Sequence, residues 1–177
     1  MWIYGYGSLI WKPGFEFMEK QPALLKGFKR RFFQGSPDHR GTPEAPGRVV
    51  TLLEAPQSTT WGMAYRVQPD VAQHILARLD HREKGGYQRH HLPLYDPDEP
   101  RQVLIDRALV YLATPDNPHY LGPASPTDIA RQIRQSRGPS GPNDEYILRL
   151  AQSLRLHDVL DPHVFAVEAA LQDLTRS

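Results

Sequence analysis

The chain reads as an α+β fold of about six strands and four helices. Three observations predict it. Runs rich in β-branched and aromatic residues dominate as far as Ala113. One run with helical spacing, Val71, Ala72, Ile75, Leu76 and Leu79, sits among them. From Ser125 onward only helical signals follow, so strands precede helices instead of alternating with them.

Ile3 and Tyr4 have strand propensity and run into a turn, Gly5-Tyr6-Gly7-Ser8-Leu9-Ile10. Two uses of its glycines fit the pattern. One is a bulge or crowded packing in the strand; the other is a turn whose N–H groups converge into a nest for a carboxylate. Ser8 adds a hydroxyl that both donates and accepts. Residues 12–22 form a loop around Pro13 and Gly14. Residues 23–34 form a half-buried strand, with Leu25, Phe28, Phe32 and Phe33 interleaved with Lys26, Lys29, Arg30 and Arg31.

Residues 35–47 are a long connection rich in proline, glycine and charge. Ser36, Asp38 and His39 are the residue types of a nucleophilic triad, but triad members converge from separate segments. Ser8 also lacks the following glycine of a nucleophile elbow. Arg40 and Arg48 are either surface arginines or planar forks for a substrate carboxylate.

Residues 48–53 and 60–67 read as a hairpin, with 54–59 as its turn. Pro69 opens a helix that Gly85-Gly86 ends in a left-handed cap. Glu83 falls in its last turn, where the helix dipole disfavours a carboxylate by roughly 0.3–1 kcal/mol. Arg82 and Lys84 can offset this for a solvated residue; a functional glutamate that breaks the local rule is the other reading. Residues 87–95 and 102–113 are strands, separated by a turn at 96–100. Ser125 caps a helix with Pro126 in its first turn, running to about Arg137, where Gly138-Pro139 stops it. Asn143 caps the next, which carries Tyr146, Ile147, Leu150 and Leu154. Asp161-Pro162 opens the last, with Phe165, Ala169 and Leu174 turned inward.

At 177 residues and 20.2 kDa the chain fits one domain with a real core. It has no cysteine, which removes disulfide and thiolate chemistry and suits the cytoplasm. No signal peptide and no run of about 18 apolar residues is evident, so no membrane is expected. A net charge of +1 gives no reason to expect nucleic acid. Eight histidines lack metal-ligand spacing, and His90 and His91 point to opposite faces of a strand; no metal is expected. Ile10 replaces the third glycine of a dinucleotide fingerprint, and no cofactor or protein partner is implied.

Tyr6-Gly7-Ser8-Leu9-Ile10-Trp11 resembles the opening signature of the ChaC-like family, the glutathione-specific γ-glutamylcyclotransferases. The resemblance continues through Arg31-Phe32-Phe33-Gln34-Gly35-Ser36, Asp38-His39-Arg40-Gly41 and Pro46-Gly47-Arg48-Val49-Val50-Thr51-Leu52. It resumes at Trp61-Gly62-Met63-Ala64-Tyr65-Arg66, Arg82-Glu83-Lys84-Gly85-Gly86-Tyr87 and Asn117-Pro118-His119-Tyr120-Leu121-Gly122-Pro123. It closes at Gly138-Pro139-Ser140-Gly141 and Asn143-Asp144-Glu145-Tyr146, and so covers nearly the whole length in order.

The resemblance implies a small, mostly closed mixed sheet surrounded by helices, spanning residues 1–177 as a single γ-glutamylcyclotransferase-like domain. It implies a lyase that cyclises the γ-glutamyl group of glutathione to 5-oxoproline and releases Cys-Gly. The substrate's own α-amine is the nucleophile, so the protein supplies orientation, a base and stabilisation of the oxyanion. The family's catalytic glutamate carries over onto Glu83 as general acid/base. Gly5, Tyr6, Gly7, Ser8, Leu9 and Ile10 are implied to hold the glutamyl end. Arg40 is implied as a substrate ligand, and Tyr146 either contributes a hydroxyl there or is a core tyrosine. Cyclisation of other γ-glutamyl amino acids or amines, or non-catalytic binding of γ-glutamyl compounds, are the alternatives.

Overall fold

In the computed structural model, which describes residues 1–82 and 86–176, five strands close into a mixed barrel. They are β1 (Trp2–Gly5), β2 (Glu19–Ser36), β3 (Gly47–Arg66), β4 (Tyr87–Tyr95) and β5 (Val103–Ala113), in the order β1-β3-β2-β4-β5. Four helices accompany them: α1 (Pro69–Arg82), α2 (Pro126–Gln135), α3 (Asn143–Leu156) and α4 (Pro162–Arg176). No helix of the described residues is long and apolar enough to cross a membrane.

The chain divides into two units: Met1–Lys29 with Leu52–Asn117, and Arg30–Thr51 with Pro118–Ser177. In the first, β1 pairs antiparallel to β3, with Ile3 opposite Tyr65, and parallel to β5, with Ile3 opposite Leu109. β4 and β5 pair antiparallel from Tyr87–Ala113 to Tyr95–Val103, with shifts of register around Leu94. Ile3, Leu9, Val67, Ile75, Leu79, Leu109 and Tyr111 form one buried cluster, so β1, the turn after it, α1 and β5 share a core. α1 buries Ile75 and Leu79 as its spacing predicts, whereas Val71 lies outside that face at 39% exposure.

The expected hairpin at 48–67 is instead a single strand. β3 runs unbroken through residues 54–59, most of them exposed or half-buried. Their polarity records exposure to solvent and not a change of direction, and Pro56, which has no N–H to donate, is itself exposed. β2 likewise begins at Glu19, within the stretch expected to be a loop.

In the second unit α2 packs against α4, and α3 packs against both. Ile129 and Ile133, Ile147 and Leu150, and Val164 and Val167 are all fully buried there. Ser125 caps α2 as predicted, its hydroxyl accepting from the Asp128 N–H at 3.1 Å. The helix stops at Gln135, and the residues beyond form two short strands, β6 (Arg137–Gly138) and β7 (Gly141–Pro142). Asn143 does not cap α3: Pro142 holds that position. The Asn143 amide turns to Arg48, accepting from its N–H at 2.6 Å and donating to its C=O at 2.9 Å. On α4 the buried face is Val164, Val167, Glu168 and Leu171; Ala169 is exposed, and Phe165 and Leu174 are half-buried. Two valines, a leucine and a glutamate, not the aromatic residue, define that face.

Candidate active site

The turn after β1 is held from three directions within the first unit. Ser8–Ile10 wind into a short 3₁₀ turn in which the Ile10 N–H is bonded to Gly7 O at 3.0 Å, and Lys12 N–H to Ser8 O at 2.8 Å. Leu9 drops its side chain into the core cluster beside Ile75 and Leu79 of α1. The Tyr65 hydroxyl donates to Leu9 O at 2.6 Å and also lies 3.2 Å from Ile10 O. Burial pushes that phenol up to about 12, so it remains a donor at any ordinary pH. The Tyr6 hydroxyl donates to Tyr111 O at 2.7 Å, which ties the turn to β5.

At Gly5 the crowded packing is present. A β-carbon there would lie 2.5 Å from Leu9 Cβ, and neither Gly5 nor Gly7 adopts a positive φ. Gly62 on the neighbouring strand is equally tight, since its β-carbon would meet Gly5 O at 2.4 Å. Glycines at both positions let β1 and its turn lie close against β3.

Glu83 lies outside the described residues, as do Lys84 and Gly85. Side-chain bonds join the elements on either side of them. Near the end of α1, Asp80 receives a two-pronged bond from Arg89 of β4: Nε to Oδ1 at 2.7 Å and a short Nη2 to Oδ2 contact. The Tyr111 hydroxyl donates to the same Asp80 Oδ1 at 2.8 Å. The Arg89 bonds hold the Asp80 carboxyl below its usual range. Burial, followed by the bond to Asp80, pushes the Tyr111 phenol well above its own. On the other flank Gly86 has φ +104°, and a β-carbon would lie 2.5 Å from Asn117 Cβ. Asn117 is bound to Thr114 O through both its backbone N–H, at 3.1 Å, and its side-chain amide. Two stretches of the resemblance, the one ending at Tyr87 and the one opening at Asn117, therefore meet at Gly86.

Arg40 and Tyr146 lie together in the second unit, the guanidinium carbon 5.9 Å from the ring centroid. Arg40 is 7% exposed, not a surface arginine, and its Nη1 donates to Pro142 O at 2.9 Å and to Glu145 Oε2 at 3.0 Å. Tyr146 is buried, with its ring edge-on to Phe32 and its hydroxyl 3.5 Å from the Val50 N–H. Arg48 is buried too, bonded to Phe32 O at 2.9 Å and to Gln132 Oε1 at 2.7 Å. Ser36 uses its Oγ to accept from the Arg40 N–H at 3.0 Å, a turn-stabilising role. The described site residues thus fall into two groups, Gly5–Ile10 in one unit and Arg40 with Tyr146 in the other.

Of the residues that hold the turn and the flanks of Glu83, Tyr65 stands in the Trp61–Arg66 stretch of the resemblance, whereas Asp80, Arg89 and Tyr111 carry no signature of their own. Their bonds join positions far apart in sequence or in different elements. The only advance signal is the complementary charge of Asp80 and Arg89 on either side of the Arg82–Tyr87 stretch.

The profile of the ChaC-like protein family matches residues 1–174. The chain is 49% identical over 175 residues to a zebrafish (Danio rerio) protein named glutathione-specific γ-glutamylcyclotransferase 1, covering 97% of this chain and 88% of that one. It is 46% identical to the human protein of the same name, covering 97% and 78%. The fold superposes on a yeast crystal structure described as a γ-glutamyl cyclotransferase specific to glutathione, with a TM-score of 0.88 at 30% identity and 98% and 96% coverage. With a profile match across nearly its full length and relatives this similar, the chain belongs to the ChaC-like family.

Proposed function

We propose that the chain is a glutathione-specific γ-glutamylcyclotransferase acting in the cytoplasm, and that residues 1–177 work as one such domain. What carries the reading is 49% identity over 97% of the chain to a protein bearing that name. The family match over 1–174 supports the single domain, and a cysteine-free chain suits a reducing compartment.

In this reading the α-amine of the γ-glutamyl group attacks its own γ-carbonyl carbon. The C–N bond to cysteine breaks, and 5-oxoproline leaves with Cys-Gly. Glu83 takes a proton from the amine and returns one to the departing nitrogen, so no proton is gained or lost overall. Gly5–Ile10 hold the glutamyl end, with Ser8 available to orient the amine. Support for this comes from the way Leu9, Tyr6 and Tyr65 immobilise the turn, because an intramolecular attack gains roughly 7–11 kcal/mol only from fixed geometry. Arg40 and Tyr146 take part in substrate binding in this reading; the Arg40 guanidinium, whose Nη1 already meets Glu145 and Pro142 O, has further N–H donors of the kind that suit a carboxylate.

The test is 5-oxoproline release from reduced glutathione, with γ-glutamyl-alanine in parallel, for the wild type and Glu83→Gln. Wild-type release from glutathione alone, lost in a folded Glu83→Gln, is expected. Release mainly from γ-glutamyl-alanine would overturn the specificity, and a near-normal Glu83→Gln rate would overturn the glutamate's role. Silence on both substrates from folded protein would point to a binding module.

A further inference from the structure

Asp80 does more than a surface ion pair requires. Its side chain is 46% exposed and that of Arg89 40%, yet one carboxylate collects both prongs of a guanidinium fork and a tyrosine hydroxyl. A guanidinium fork on a carboxylate fixes orientation as well as distance. The same tyrosine, Tyr111, accepts the Tyr6 hydroxyl on its backbone oxygen at 2.7 Å. Two sets of hydrogen bonds therefore meet at Tyr111, its hydroxyl joined to Asp80 and Arg89 and its backbone oxygen to Tyr6, so that the residue itself links β4 and α1 through β5 to the turn after β1. Tyr111 and Leu9 also share the buried cluster with Ile75 and Leu79, so apolar packing and these bonds link the same elements.

We propose that Asp80 and Arg89 are positioning residues for the cyclisation, fixing the end of α1 and the start of β4 against the turn that holds the glutamyl group. The proposal rests on the cyclotransferase reading and on Glu83 as its base. It assigns Asp80 and Arg89 no contact with substrate. Their effect passes through Tyr111 and Tyr6 to the turn.

The test compares Asp80→Asn, Arg89→Gln, Arg89→Lys and Tyr111→Phe with the wild type for kcat and KM on glutathione. Exposed pairs contribute little to stability, so Tm is expected to fall by no more than about 4 °C in the Asp80 and Arg89 variants. In both, kcat is expected to drop roughly 10-fold to 100-fold, with KM moving far less, because small misplacements are expensive in an oriented reaction. Arg89→Lys keeps the charge and loses the fork, and it is expected to lose most of the kcat as well. Asp80→Asn combined with Tyr111→Phe is expected to cost little more than the worse single change, as changes to two directly bonded residues are not additive. A kcat within twofold of wild type in Arg89→Gln, or fully additive losses, would overturn the proposal.

Amide hydrogen exchange separates this from the reading beneath it. If the wild type releases no 5-oxoproline, the cyclotransferase reading fails, and exchange decides the positioning claim alone. Faster exchange at 87–89 and 7–10 in Asp80→Asn supports it, and unchanged exchange there overturns it.

Discussion

His163 accepts the Phe32 N–H on Nε2 at 3.0 Å, and a ring nitrogen that accepts cannot also carry a proton. Burial, reinforced by the positive charge of Arg31, lowers its pKa to about 4; Asp161 opposes this more weakly. The folded chain therefore holds a neutral imidazole at pH values where the unfolded chain, with a pKa near 6.5, binds a proton. The unfolded state takes up more protons between those limits, so stability is full above about pH 6.5 and falls as pH drops towards about 4. With allowance for the ring's partial exposure, the contribution is about 2–3 kcal/mol. In urea unfolding at pH 7 and pH 4.5, His163→Gln, which retains an acceptor and does not titrate, is expected to lose that part of the acid sensitivity. Asn143 makes a second residue-scale point. Its place before a helical run suggested a cap, and residue type alone cannot tell a cap from an amide that satisfies a distant backbone. Only the fold brings Arg48 within its reach, 95 positions back in the chain.

At the scale of elements, Gly86 stands immediately before β4 and against Asn117. Its φ of +104° is closed to side-chain-bearing residues without strain, and its missing β-carbon makes room for Asn117. Gly86→Ala is expected to cost about 1–3 kcal/mol, read by chemical denaturation, and to lower 5-oxoproline formation more than that loss of stability explains. The positive φ of Gly86, the Ser125 cap and most of the α1 face were legible in the sequence, because each is a local preference acting over a few residues, while the cap expected of Gly85-Gly86 lies partly outside the described residues. The single long β3 was not. Residues 54–59 have turn-like composition, but a strand exposed along that stretch selects the same polar residues. The α4 face was misplaced as well: Phe165, expected inward, is half-buried and its ring centroid lies 4.7 Å from the Arg155 guanidinium.

For the molecule as a whole, the candidate site was legible as motifs and its support was not. Tyr6–Ile10 and Glu83 stand in recognisable stretches, but the Tyr6 to Tyr111 bond spans 105 positions and follows no pattern readable along the chain. Because the attacking amine belongs to the substrate, the proposed chemistry asks no Lewis acid of the protein. 5-Oxoproline formation is expected to be unchanged after exhaustive dialysis against EDTA, and loss of rate restored by a divalent ion would overturn that expectation. The parallel pairing of β1 with β5 has one further consequence. It closes the ring of five strands, so the barrel has neither a first strand nor a last one. An open sheet offers its outer strand as a template on which another chain can add, which is a common route to fibrous aggregation and to capture of extended peptides. Closure withdraws that outer strand as a template.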